Sequence, residues 1–172
     1  MKVLKPTGKI LFKEVQQFRQ LWLWAILISS ALVPLGIIVA VMSQDKKTEL
    51  WEKLLVIGIV LGTFAINVII FYIIRLETVV TEEGLFYRWW PFVKKYRMFR
   101  WQEIATITVR KYPYFKYGYH ITREYGKMHN TNGSKGIQFV LQNGKKVYIG
   151  TQKLKVLQYT LEQIRPVTVE SK

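Results

Sequence analysis

Residues Lys135 to Gln152 read KGIQFVLQNGKKVYIGTQ. Apolar side chains alternate on both sides of Asn143-Gly144, and that dipeptide between alternating runs is the strongest short-range signal of a β-hairpin. The texture continues upstream. Leu76 to Thr81 reads as a strand, Glu82-Glu83-Gly84 as a turn and Leu85 to Trp90 as its partner, ended by Pro91. Tyr96 to Trp101 and Ile104 to Tyr112 make a third and a fourth strand, and Tyr119 to Arg123 a fifth. Downstream, Leu154, Leu157, Leu161 and Ile164 recur at intervals of three and four, which predicts an amphipathic helix from about Lys153 to Arg165 with Thr151 as N-cap and Pro166 as its stop. About seven short strands followed by one such helix predict a small barrel or orthogonal sandwich with its open end covered.

The first half has a different character. Leu21 to Met42 and Leu54 to Ile74 contain no charged residue. Each run is about 21 residues, and about 20 cross a hydrocarbon core as a helix. Two core helices of a soluble domain would read alike, but two such lengths in succession, each ended by charge, favour a membrane hairpin. Trp22, Trp24 and Tyr72 would mark one interface and Trp51 the other. Basic residues flank the pair: Lys2, Lys5, Lys9, Lys13 and Arg19 before it, and Arg75, Arg88, Lys94 and Lys95 after it. The connecting loop holds Lys46, Lys47 and Lys53, so the positive-inside rule places both termini on the cytoplasmic side. In ILFKEVQQF, residues Ile10, Leu11, Val15 and Phe18 fall on one rough helical face. This is the pattern of a helix lying among headgroups, with a plain basic tail as the alternative.

With 172 residues, half of them hydrophobic, and a net charge of +15, the chain suits an anionic partner, either nucleic acid or the inner leaflet. The absence of cysteine excludes disulfides, thiolate metal sites and cysteine nucleophiles. His120 and His129 lack partners at metal-ligand spacing and read as surface or barrel-rim residues. Glu77, Glu82, Glu83, Glu103 and Glu124 are scattered, so no catalytic, cofactor or metal residues are assigned and no cofactor is expected.

The signal that remains is basic and aromatic together. One cluster supplies Trp89, Trp90, Phe92, Lys94, Lys95 and Arg97; the other supplies Arg110, Lys111, Tyr114 and Lys116. Rings that favour the headgroup level beside cations drawn to anionic lipid form a candidate membrane-contacting edge. Some of these rings belong to the core, since neighbours such as Trp89 and Trp90 face opposite sides of a strand. Stacking rings and lysines also suit single-stranded nucleic acid, which ranks below lipid because a tethered module already has headgroups in reach. Within the second span, Gly58 and Gly62 with Asn67 are candidate helix-packing residues, read first as packing on the first span and second as a contact with another copy.

The residues Gly118-Tyr119-His120-Ile121-Thr122-Arg123, Gly133-Ser134-Lys135-Gly136-Ile137, Asn143-Gly144-Lys145 and Ile149-Gly150-Thr151 carry a family likeness. This stretch resembles the bacterial PH-like domain of small two-span membrane proteins, most of all in the spacing of the glycines around its last two strands. His120 stands where that family often has glycine, and Lys153-Leu154-Lys155 where its last helix often opens with proline and acids. The resemblance implies a pleckstrin-homology-like architecture over residues 76–165 and no known catalytic residue.

The resulting expectation is a membrane α-helical hairpin (21–42 and 54–74, within 21–74). It is preceded by a basic, amphipathic segment (1–20) and followed by a cytoplasmic all-β PH-like barrel capped by a C-terminal helix (75–172). Such a chain would be a non-catalytic binding or scaffold module contacting the lipid bilayer, anionic lipid or a protein partner. The alternative is an accessory subunit of a larger transport or envelope complex, with a membrane enzyme ranked last.

Overall fold

The computed structural model describes residues 1–44, 49–112, 117–164, 166 and 168–169. They fall into two compact units, Phe18–Ile73 and a second built from Met1–Gln17 with Ile74–Lys172. The strands are β1 (Lys2–Val3), β2 (Ile10–Gln17), β3 (Arg75–Thr81), β4 (Gly84–Trp90), β5 (Tyr96–Arg100), β6 (Ile104–Lys111), β7 (Gly118–Thr122), β8 (Gly126–Asn130), β9 (Lys135–Leu141), β10 (Lys146–Gly150) and β11 (Thr168–Val169). The α-helices are α1 (Leu21–Gln44), α2 (Leu50–Ile73) and α3 (Leu154–Glu162). Arg165, where the sequence places the end of the last helix, lies outside the described residues.

The strands form two sheets and not one closed barrel. One has the order β1-β5-β4-β3-β2 and the other β11-β6-β9-β10-β8-β7. The chain passes between them through a 3-10 turn, Trp101–Glu103, whose buried Trp101 donates from Nε1 to the Thr81 carbonyl at 3.0 Å. Leu76, Val80 and Leu85 from the first sheet meet Ile107, Ile137, Phe139 and Ile149 from the second. Leu157 and Leu161 of α3 close this core, as the helical spacing predicts. The hairpin that opened the reading is β9–β10, with Val147 opposite Phe139 and Ile149 opposite Ile137. Its turn uses glycine alone for the left-handed backbone, at Gly144 (φ +77), while Asn143 accepts from the Lys145 N–H at 3.1 Å.

The largest departure from the sequence reading is β2. Residues 10–17 are a strand and not a headgroup-lying helix: Phe12, Glu14 and Gln16 are buried while Lys13 and Val15 are exposed. Two polar residues on the inward face disguised the alternation. Each is satisfied by a partner far along the chain. Glu14 accepts from Thr151 Oγ1 at 2.6 Å and the Gln152 N–H at 2.9 Å; Gln16 donates to the Gly150 carbonyl at 2.7 Å and accepts from Thr131 Oγ1 at 2.8 Å. Residues 1–17 are therefore part of the β module and not a separate leader.

β2 and β3 are antiparallel neighbours, with Gln17 opposite Arg75. Everything between those two residues is an insertion in a strand pair, so the chain leaves the sheet and returns to it at one place. The inserted unit is two helices of 24 residues each, about 36 Å long. Both are apolar enough to cross a membrane, and Ala31 alone among their residues is buried. Phe18 and Phe71 meet edge to face at 6.2 Å. Gly58 and Gly62 do not pack on α1 as expected: a methyl group at either would meet nothing within 4 Å. Asn67 instead faces a hollow of about 320 Å³ shared with Ser30 and Pro34, and donates to the Thr63 carbonyl of its own helix at 2.8 Å.

Candidate functional site

The expected basic and aromatic edge is divided by the pleat of β4. Trp89 turns inward and donates from Nε1 to His129 Nδ1 at 2.8 Å. His129 is a core residue, 3% exposed, between the rings of Tyr87 at 4.6 Å and Tyr119 at 5.1 Å, which corrects its reading as a rim residue. Burial first, then the charges of Arg97 and Lys127, push its pKa down to about 3, so the ring is neutral. Accepting at Nδ1 puts its hydrogen on Nε2.

Trp90 turns outward onto a charged cluster. Glu77 sits at its centre, 5% exposed. Arg75 Nε donates to it at 2.8 Å, Arg88 at 2.7 Å and the Tyr96 hydroxyl at 2.5 Å. The Arg88 guanidinium lies 4.2 Å from the Tyr96 ring centre and 5.1 Å from that of Trp90, with Arg75 at 5.8 Å from Trp90. Burial alone would raise the Glu77 carboxyl, but the hydrogen bonds from Tyr96 and Arg88 and the charges of both arginines outweigh it, and its pKa is lowered. Burial and Glu77 together push Tyr96 up to about 12. Sequence reading passed over Glu77 as one scattered acid. The usable signal was its spacing of two from Arg75, which puts both on one face of a strand.

Arg88 also donates to the Lys94 carbonyl at 2.9 Å, which ties the β4–β5 turn to this cluster. Beyond it Phe92 is 70% exposed, and Lys94 and Lys95 are exposed beside it. These three are what the structure retains of the first predicted edge at the surface. Arg97 lies on the opposite face of β5, in a cleft between the sheets. In the second predicted group, Arg110 is engaged by Gln138 at 3.0 Å and Glu124 at 3.3 Å and lies 5.0 Å from the Tyr125 ring centre. Lys111 is exposed. Tyr114 and Lys116 lie outside the described residues.

A β-sandwich capped by a helix, with an apolar helical hairpin inserted in one strand pair, is an architecture of the pleckstrin-homology type. The chain belongs to the bacterial PH domain family, whose match runs over residues 11–170 and so takes in β2 and the inserted hairpin. No curated protein and no solved structure matches it.

Proposed function

We propose that this chain is a non-catalytic binding module fixed to the cytoplasmic face of a bacterial inner membrane by its helical hairpin. The observation that carries this reading is the insertion of two apolar, outward-facing helices between Gln17 and Arg75, paired residues of one sheet. Water would have to solvate both helices along their whole length, whereas a bilayer solvates them at no such cost. One residue, Ile74, separates α2 from β3, and Trp90 at the mouth of the β4–β5 turn is paired with Arg75. Phe92, Lys94 and Lys95 therefore belong to the end of the sheet from which the chain enters the hairpin, where a ring and two cations suit an anionic leaflet.

The test is extraction of membranes from expressing cells. High salt and carbonate leave the intact chain in the membrane fraction and only detergent releases it; recovery in the carbonate supernatant would overturn the anchor. Orientation is tested by single cysteines in this cysteine-free chain. Glu49→Cys reacts with an impermeant maleimide in spheroplasts, and Asn143→Cys reacts only after lysis.

A second reading, an accessory subunit of a larger membrane assembly or a homo-oligomer, is favoured by Gly58 and Gly62, which leave α2 open to close approach. Leucine at both positions would then dissociate a complex seen by size in mild detergent.

A further inference from the structure

Between the two sheets, away from the Glu77 cluster, lies an open cleft of about 530 Å³. Tyr87 and Phe99, whose rings stack at 5.9 Å, line it together with Leu141 and Val147. Around them stand Lys2, Arg97, Lys127, Lys145 and Lys146, and among the described residues no carboxylate lines the cleft. None of these five cations is in an ion pair among the described residues. Burial raises the pKa of the Tyr87 hydroxyl, and the charge of Arg97 with a side-chain hydrogen bond from it acts in the opposite sense. An apolar floor beside cations without a carboxylate partner attracts an anion, and the cleft is sized for a small ligand.

The main chain narrows the choice of ligand. A peptide would add as a strand, but β1 already pairs with Tyr96 and Arg97, and the Met98 N–H already donates to the Met1 carbonyl at 2.9 Å. On the other wall β8 lies between β7 and β10, so strand addition is left only to the two-residue edge strand β1 and to the edge strand β7. Within the cleft itself apolar surface and positive charge lie side by side, which an anionic amphiphile answers. We propose that this cleft binds a single-chain anionic lipid, its phosphate among Arg97, Lys127 and Lys146 and its acyl chain along Phe99, Leu141 and Val147. The proposal rests on the membrane-anchored reading only in that a bilayer supplies such lipids.

The experiment is native mass spectrometry of the full chain in a neutral detergent with lysophosphatidylglycerol, against lysophosphatidylcholine and glycerol 3-phosphate at equal concentration. Lysophosphatidylglycerol is expected to bind at least tenfold tighter than either. Lys127→Gln with Lys146→Gln should weaken it about tenfold, and Arg97→Gln should do so independently. Lipid adsorbed on the helices is indifferent to all three substitutions and is subtracted by comparison with them. Equal binding of the choline lipid, equal binding of glycerol 3-phosphate, or full binding by both variants would overturn the proposal, as would capture of an acidic peptide in place of the lipid. Failure of the anchor appears separately, as release of the chain by carbonate with lipid binding intact.

Discussion

Two buried ionisable residues, Glu77 and His129, make the fold sensitive to acid in different windows. His129 takes up a proton near pH 6.5 when unfolded and only near pH 3 when folded. Unfolding therefore binds a proton as pH falls below 6.5, and stability declines by up to about 1.4 kcal/mol per pH unit from this one group. Glu77 has a lowered folded pKa, so its contribution is present above its ordinary value of 4.5 and is lost as pH falls below that. The interval from 6.5 to 4.5 thus reports on His129 alone of the pair. His129→Gln keeps an acceptor for the Trp89 indole and removes the titration. Denaturant melts of the detergent-solubilised protein should show a flatter pH dependence in that interval and on down to about pH 3, while the part of the loss below 4.5 that belongs to Glu77 remains. Glu77→Gln leaves the half-buried Arg88 without its counter-charge, and a loss of about 2 kcal/mol is expected at neutral pH after allowing for the partly exposed Arg75.

At the scale of elements, β2 is held by polar contacts more than by apolar burial. Phe12 is its one side chain in the main core, while Glu14 and Gln16 carry hydrogen bonds to Thr151, Gln152, Gly150 and Thr131. Glu14→Ala strands the Gln152 N–H and the Thr151 hydroxyl at the entry to α3, at a cost of about 2 kcal/mol. Hydrogen exchange should then quicken at residues 10–17 and in the first turn of α3, and leave β9 and β10 protected. The same contacts explain what the sequence disclosed. β3, β4, β6, β9 and β10 were legible because apolar residues alternate along them and glycine or proline closes their ends. β2 was not, because its inward positions are a glutamate and a glutamine whose partners lie more than a hundred residues away. β8, with Lys127-Met128-His129-Asn130, offers no β-branched residue and pairs in parallel with β10. The candidate edge was legible as composition only, since which face Trp89 or Arg97 takes depends on register that no local pattern fixes.

For the whole molecule, the decisive relation is that the hairpin interrupts a strand pair and adds nothing to the core that the strands build. The main buried cluster draws on β2, β3, β4, β6, β9, β10, the Trp101 turn and α3, and none of its members comes from Phe18 to Ile73. Cross-strand partners such as Gln17 and Arg75 lie about 5 Å apart in an antiparallel pair, close enough for a tight turn to replace everything between them. Joining Gln17 to Arg75 through Asn-Gly should therefore yield a water-soluble β module that unfolds cooperatively. It is expected to keep the dispersed, downfield-shifted and protected amides of a packed sandwich. Without its anchor, this module would meet membranes only through the β4–β5 turn, and cosedimentation with vesicles rich in phosphatidylglycerol should fall in salt as surface contacts do. Phe92→Ser with Lys94→Gln and Lys95→Gln should abolish that cosedimentation while leaving the melting temperature unchanged, since all three side chains are exposed. An excised module that aggregates, or one whose vesicle binding survives the triple substitution, would show that the helices or another face carry what is assigned here to the turn.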